Sequence, residues 1–565
     1  MSLFSSIQQA NNSLRAAQIG LQVVGQNIAN ANTPGYAREE VVLTPAPTQK
    51  YGNLLLGLGV QVKGIVQKVD RFVDERLRMT TSDRVGAEVR EQTYLTLERL
   101  VGELTDTDLS TSLTSFFASL NEVVNRPEDL SVRELAVLRG QALSGDINRL
   151  ASNVQNQRQQ LNKEIIQAAH DINRLTEEIR TLNLRITAAE GGDASASDAV
   201  GLRDQRYLAL ANLAELINIK VAEQESGAVA VFVGGEYLVF EGERRAVSTH
   251  MVADRGLAIA EMQITETAAP LAATGGKVGG LIAARDTVLA GFLDQWDEFA
   301  RTLAFEFNKV FSAGQGLTGF DQVTSEFHVN APDVALDQAG LSYTPQSGTF
   351  EVQVVDRHTG LFKTHRIDVD LDGLDRDTTF ADLVTALDAI DGISATITST
   401  GNLTIRSDSA ASEFAFAADT SGVLAALGIN TFFQGTAALD LGVNQVLVDD
   451  PAKFAASRGG IGHDADNAIQ LAAFADQPLE SNHDASILVT YDSVVAEVTQ
   501  GSTVAQSLAE GFRVFEETLV GQRLAVSGVN LDEEAVRMIT LQRTYQATAR
   551  YIGTLAELLE TLVNL

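Results

Sequence analysis

The sequence predicts a mainly α, multi-domain protein with β insertions, built from terminal coiled-coil helices, a long helical rod, and outer β and α+β modules. Three observations carry this reading. At 565 residues, and about 150 residues per domain, the chain has room for three to four cores. Apolar residues recur at alternating spacings of four and three at both ends and along an interior stretch, which is the signature of helices with one apolar seam. Two other stretches show short alternating runs broken by glycines, which read as antiparallel strands and hairpins.

Taken in order, the first seam is Leu3, Ile7, Ala10, Leu14, Ala17, Leu21, Val24 and Ile28. All lie on one helix face. The stretch NIANANTPGYAREE (27–40) then stops the helix: Asn30 or Asn32 can take the left-handed conformation, Thr33 is pushed extended by Pro34, and Gly35 permits a tight turn. Helices from about 59 to 205 make the rod, with a seam of Ile147, Leu150, Val154, Leu161, Ile165, Ala168, Ile172, Leu175, Ile179, Leu182 and Ile186. It is interrupted near Arg158 and closed by Gly191-Gly192. After Leu216 the runs VAVFVGGEYLVFEGERR and GLAIAEMQITE read as strands, and helical periodicity returns from Val278. A second insertion mixes the strands FEVQVVD, THRIDVDL and LTIRS with a short helix, TTFADLVTALDAI. The last seam is Leu541, Tyr545, Thr548, Ile552, Leu555, Leu559 and Leu562.

The expected modules are therefore 1–58 with 522–565 as a terminal coiled-coil module and 59–205 with 278–320 and 434–521 as the rod. Residues 206–277 form a β-rich insertion, and 321–433 an outer α+β insertion.

Composition narrows the function. Forty-two Lys and Arg face 74 Asp and Glu, a formal charge of −32, and such a chain repels phosphate backbones and anionic lipid. Nucleic-acid and membrane partners are disfavoured. With no cysteine, disulfides, thiolate metal sites and thiol nucleophiles are excluded. The first residues lack a basic segment followed by an apolar block, and no apolar run reaches the roughly 20 residues of a membrane span. Export, if it occurs, is expected to proceed without a cleaved signal.

Motifs for chemistry are weak. DVDLDGLDRDTT (368–379) sets Asp368, Asp370, Asp372 and Gly373 at the first, third, fifth and sixth places of a calcium loop. Thr379 stands where the twelfth-place carboxylate belongs, and a strand precedes where a helix should. It reads as a solvated acidic turn. The histidines, 170, 250, 328, 358, 365, 463 and 483, show no HExxH or HxH spacing and read as surface residues. GGKVGG (275–280) lacks the Ser or Thr of a phosphate loop and reads as a hinge back into the rod. No catalytic, cofactor-binding or metal residue is assigned, and no cofactor is expected.

NIANANTPGY near the start, with SGVNLDEEAVRMITLQRTYQATARYI (527–552) near the end, resembles the paired terminal signatures of the bacterial flagellar axial proteins. NRPEDLSVRELAVLRGQALSGDINRLASNVQNQRQQLNKEI, INRLTEEIRTLNLRI and LRDQRYLALANLAELINIKV are similar to the hook-associated type that joins hook to filament, and so are FNKVFSAGQGLTGF and VNQVLVDDPAKFAAS. Ala37 and Glu39 stand where that family more often has Ser and Gln. The resemblance implies a structural, non-enzymatic flagellar subunit that assembles helically with itself. The implied partners are the hook protein, the second hook-associated protein and an export chaperone; the implied route is the flagellar type III apparatus, with an extracellular place on the flagellum.

On this reading the assembly interface is Leu3, Ile7, Leu14, Leu21 and Ile28 with Leu541, Tyr545, Ile552, Leu555, Leu559 and Leu562, and the signature turn is Asn27, Asn30, Asn32, Thr33, Pro34, Gly35 and Tyr36. The terminal helices are expected to be mobile in the free subunit and to order on incorporation, because isolated helices gain most of their stability from packing. The competing readings are another axial subunit of hook or rod type, and an appendage-associated hydrolase.

Overall fold

The first seam forms helix α1 (Leu3–Ala29). It closes through the Asn30 N–H on the Gln26 carbonyl and the Thr33 N–H on the Asn30 carbonyl, both at 2.9 Å. The left-handed residue of the turn is Gly35, at φ +81°. Neither Asn30 nor Asn32 adopts that conformation, contrary to the sequence expectation. Asn30 instead spends its side chain locally, donating to the Gln26 carbonyl and accepting from Thr33 Oγ1. The reversal is thereby deferred to the residue with no Cβ.

In the computed structural model, which describes residues 3–51, 54–102, 109–191, 199–374, 376–462 and 464–564, the chain continues into strands β1 (Glu39–Pro45), β2 (Thr48–Tyr51), β3 (Leu54–Gly57) and β4 (Val60–Gln67). β1 pairs antiparallel with β4, with a bulge between Val42 and Leu43, and β2 pairs with β3. This corrects the expected start of the rod at residue 59. The first helix after the hairpin is α2 (Arg71–Val101). The run of leucines between glycines hides the period-2 alternation of the flanking strands.

α3 (Leu109–Asn125), α4 (Leu130–Glu190) and α5 (Val200–Leu216) follow. α4 is 61 residues long and unbroken. Arg158, where the apolar seam lapses, is itself fully buried, so the seam persists as a sealed stripe through a charged residue. Gly191, at φ +60°, follows the helix end; Gly192 lies outside the described residues. Next come a four-stranded sheet of β5 (Lys220–Glu223), β6 (Val229–Val233), β7 (Glu236–Phe240) and β8 (Glu243–Arg244), and a hairpin of β9 (Val247–Asp254) and β10 (Leu257–Ile264).

GGKVGG is not a hinge: from Gly276 onward it is the start of helix α6 (Gly276–Ala283). Its glycines allow close approach, since a Cβ on Gly280 would lie 2.7 Å from the Gly86 carbonyl oxygen on α2.

After α7 (Ala290–Ser312) the second insertion forms two three-stranded sheets. They are built from β11 (Gln322–Thr324), β12 (Gly348–Asp356), β13 (Phe362–Val369), β14 (Ile393–Ile397), β15 (Leu403–Ser407) and β16 (Ser412–Ala417), in the orders β11-β15-β14 and β13-β12-β16. Helix α8 (Phe380–Asp388) shares their core of Phe350, Phe380, Ile405, Phe414, Phe416 and Leu427.

Helix α9 (Val423–Leu427) leads out, and the expected module end at Phe433 falls too late. Asn430 Nδ2 already donates to the Ser312 and Gly314 carbonyls. Phe432 and Phe433 have ring centroids 5.4 and 5.8 Å from Phe116, so they belong to the helical core. Aromatic truncation in such a core costs about 3–5 kcal/mol. The chain ends through α10 (Gln445–Asp449), α11 (Asp466–Ala473), α12 (Ile487–Ser527) and α13 (Leu531–Val563).

Two compact units result. One holds residues 1–93, 159–287 and 503–565, hence both termini, and the other 94–158 and 288–502.

Candidate assembly interface at the chain termini

The signature turn is built on one buried side chain. Asn27, 1% exposed, uses all of its hydrogen-bonding capacity. Its Oδ1 accepts from Tyr36 Oη (2.8 Å) and the Glu39 N–H (2.9 Å). Its Nδ2 donates to the Glu39 carbonyl (3.0 Å) and to Glu534 Oε2 (3.1 Å). Glu534, fully buried near the start of α13, also accepts from Arg38 Nε (2.9 Å), while Arg38 Nη2 reaches Glu533 Oε2 (2.9 Å). The Arg38 N–H donates to the Ser527 carbonyl. Asn530 caps α13 by accepting from the Asp532 and Glu533 N–H groups, which holds the acidic first turn in position for the arginine. Thus the end of α1 is tied to the start of α13 by a buried charged pair with a neutral asparagine as bridge.

Within the predicted turn set, Asn27 and Tyr36 make this lock, while Asn30 and Thr33 close α1. Gly35 backs onto Leu208. Asn32 and Pro34 are exposed. The sequence reading missed Arg38, Glu533, Glu534 and Asp204. The signal was present as an Arg beside the turn and an Asn cap followed by three acids, but the pairing spans almost the whole chain.

Glu39 follows the turn as a buried carboxyl. It is 4% exposed, and its Oε2 has no hydrogen-bond partner. Burial first, and then the charge of Asp204, raise its pKa to about 7. Asp204 on α5 accepts from the Ala37 N–H and from Gln67 Nε2, yet burial still raises it to about 6.

A carboxyl whose folded pKa exceeds its unfolded value holds its proton more tightly when folded. Its contribution is therefore full below about pH 4.5 and is lost as pH rises through about 7. We expect the first unit to melt lower at pH 8 than at pH 5, with Glu39 contributing at most about 3 kcal/mol of the difference. Glu39→Gln should shrink that difference, measured as thermal melts of both proteins across this range. An unchanged pH slope in the variant would contradict the assignment.

α1 packs against α13. Facing Leu541 is Gly20, where a Cβ would sit 3.0 Å from Leu541 Cδ1. The most buried positions of α1 are mainly small: Ser5, Ser6, Ala10, Ala16, Ala17 and Gly20, with Val23 and Val24. These small residues let the helices approach closely, and the larger predicted residues Leu3, Ile7, Leu14, Leu21 and Ile28 straddle the contact half-buried. On α13, Leu555 is 5% exposed, Leu541, Ile552 and Leu559 are half-buried, and Tyr545 is exposed. The side chain of Leu562 lies outside the described residues. The pairing expected on incorporation is thus already present within one chain.

α13 carries a second stripe that the apolar reading did not register. Thr540, Thr544, Ala547, Tyr551, Thr554 and Leu558 keep the four–three spacing, bear no charge and are exposed. Thr540, Thr544 and Thr554 donate their hydroxyls to the Val536, Thr540 and Tyr551 carbonyls of their own helix. Their donors are satisfied locally, so the stripe is poor in free hydrogen-bonding groups.

In the acidic turn, Asp370, Asp372 and Asp377 bring carboxylate oxygens within 4.8 Å of one another. Asp368 pairs with Arg366 instead, and Thr379 caps α8 in a capping box with Asp382. Asp372 and Asp377 each accept a backbone N–H of the turn. His463 lies outside the described residues. Among the described residues no helix is long and apolar enough to cross a membrane.

Comparison with known proteins bears on this geometry. Residues 94–327 match the model of the flagellar hook-associated protein FlgK helical domain, and residues 520–565 match the C-terminal model of the flagellar basal body rod FlgEFG proteins. The chain is 25% identical over 587 aligned positions to flagellar hook-associated protein 1 of Escherichia coli, covering 99% of this chain and all of the relative. It is 29% identical to the Bacillus subtilis protein of that name over 41% of this chain and 46% of the relative. The hook junction protein FlgK from Burkholderia pseudomallei has a similar fold, at a TM-score of 0.50 and 14% identity, over 80% of this chain and all of that one.

Proposed function

The chain belongs to the flagellar hook-associated protein 1 family, and we propose that it joins hook to filament through its paired terminal helices. It is a structural subunit of the flagellum. The observation that carries the proposal is the uncharged exposed stripe of α13, which runs one residue from the seam packed on α1 and so along the flank of that contact. A long helix exposing a second heptad-spaced, uncharged seam fits knobs-into-holes packing against a neighbouring copy. The half-buried α1 and α13 leucines at the edge of the pair extend the same surface. In this proposal the inner module is that expected for 1–58 with 522–565, carried on to residue 67 so that β4 stays with β1, and the interface is Leu3, Ile7, Leu14, Leu21, Ile28, Leu541, Tyr545, Ile552, Leu555, Leu559 and Leu562.

The packing is heterologous and helical, so it needs capping neighbours; these are the hook protein on one side and the second hook-associated protein on the other. Export through the flagellar type III route without a cleaved signal, and a chaperone that covers the α13 seam beforehand, follow from the family resemblance. The acidic charge of the chain favours neither nucleic acid nor membrane as a partner.

The test is complementation of a deletion strain with the Tyr551→Asp, Leu558→Asp variant, read by electron microscopy. Hooks without filaments, with flagellin shed into the medium, are expected, while the purified variant melts like the parent. Normal filaments would remove the stripe from the interface. Rescue of a non-flagellated strain by added protein acting catalytically would favour the hydrolase reading instead.

A further inference from the structure

Within the first unit, α2, α5 and the β5–β6 edge line an open-mouthed pocket of about 240 Å³. Three arginines, Arg71, Arg78 and Arg206, and three carboxylates, Asp74, Glu75 and Glu223, line it. The partners of the arginines differ. Arg71 pairs with Glu223 at 2.5 Å, and Arg203 takes the other Glu223 oxygen at 2.6 Å, so that carboxylate is saturated.

Arg206, 3% exposed, has neutral acceptors instead: its Nη1 donates to Asn183 Oδ1 (2.9 Å) and the Gly227 carbonyl (2.7 Å). Burial lowers its pKa to about 10. Arg78 makes no hydrogen bond or ion pair among the described residues, and burial lowers its pKa despite nearby Asp74. Asp74 is itself buried, with Arg523 at 3.6 Å, and burial raises its pKa. Tyr207 adds a phenol, and Leu210, Val221 and Val229 an apolar wall.

Two arginines without a directly paired carboxylate therefore share a pocket wall with a phenol and aliphatic side chains. We propose that this pocket binds a small carboxylate carried on an apolar stem, its carboxylate against Arg78 and Arg206 and its stem against Leu210, Val221 and Val229. A planar carboxylate matches guanidinium geometry and gives Arg78 the direct ion pair that Asp74 and Glu75, though near it, do not make. The apolar wall distinguishes such a ligand from an inorganic anion, which would leave that wall unused.

The test is calorimetric titration of the full-length protein with benzoate, and in parallel with benzyl alcohol and inorganic phosphate. Saturable benzoate binding is expected, with phosphate and benzyl alcohol each at least tenfold weaker. Arg78→Gln should weaken benzoate at least tenfold and Arg78→Lys less. Arg206→Gln tests the second arginine, but it is buried and can fail to fold; Arg78, only half-buried, then carries the result. Absence of saturable benzoate binding, equal binding of phosphate, or binding unchanged by Arg78→Gln would each overturn the proposal.

Discussion

Aspartate at both Leu555 and Leu559 should separate α13 from α1 in the free subunit and abolish incorporation into the flagellum. Leu555 is 5% exposed and Leu559 half-buried in the α1 contact. Removing a buried leucine costs roughly 1.5–3 kcal/mol, and forcing a carboxylate into its place adds to that; the double change should cost on the order of 5 kcal/mol. On the sequence expectation of mobile ends this variant would be nearly silent before assembly. With the helices already paired in one chain, the terminal amides should lose exchange protection and the first unit should melt many degrees lower. Leu558, 55% exposed one position away, is the internal control. Leu558→Asp should leave the melt within about 0.5 kcal/mol and still impair filament attachment. Full protection of α1 and α13 in the double variant would show that the pair is not held by this contact.

What was legible in the sequence, and what was not, divides along chain separation. The helical seams could be read because each is local: α4 buries every seam residue from Ile147 to Ile186. Three strands of the second insertion, β12, β13 and β15, were legible for the same reason, as alternation within a few residues, whereas β11, β14 and β16 were not singled out. The hairpin of residues 39–67 was not, because a leucine run between glycines carries no clear period. Within the terminal pair, the reading chose the large apolar residues as the contact, whereas Ser5, Ser6, Ala16 and Gly20 are sealed and the leucines flank them. Hydrophobicity ranks leucine first, but close helix approach selects small side chains. The threonine-bearing stripe of α13 was passed over because the reading followed the leucine-bearing seam one residue away. Its hydroxyls are bonded inward to the helix backbone, a fact visible only in the structure. The Arg38–Glu534 pair joins positions 496 apart, and no local pattern could say which of several acids the arginine would meet. The family motif did point to Asn27, without the reason for it.

That reason gives the second large effect. Asn27 is the one neutral group that can accept from Tyr36 and the Glu39 N–H while donating to the Glu39 carbonyl and Glu534. Asn27→Ala removes four bonds at once and leaves Glu534 with Arg38 alone in a buried site. Unsatisfied buried groups cost about 1–3 kcal/mol each, and breaking up a buried charged network about 3–5 kcal/mol. A loss of at least 3 kcal/mol from the first unit is therefore expected, read as a lowered melt and lost protection at the Arg38 amide. Asn27→Asp should be as damaging for a different reason: it keeps the shape but replaces a donor 3.1 Å from Glu534 Oε2 with a like charge. Pairing it with Glu534→Gln restores one donor between the two side chains, so the double variant should regain part of the stability that Asn27→Asp loses. Because Glu534→Gln also leaves Arg38 facing a neutral amide in place of a carboxylate, recovery should be incomplete. A cycle showing no coupling between positions 27 and 534 would mean that the turn is held by its backbone alone, and that the asparagine does not link α1 to α13.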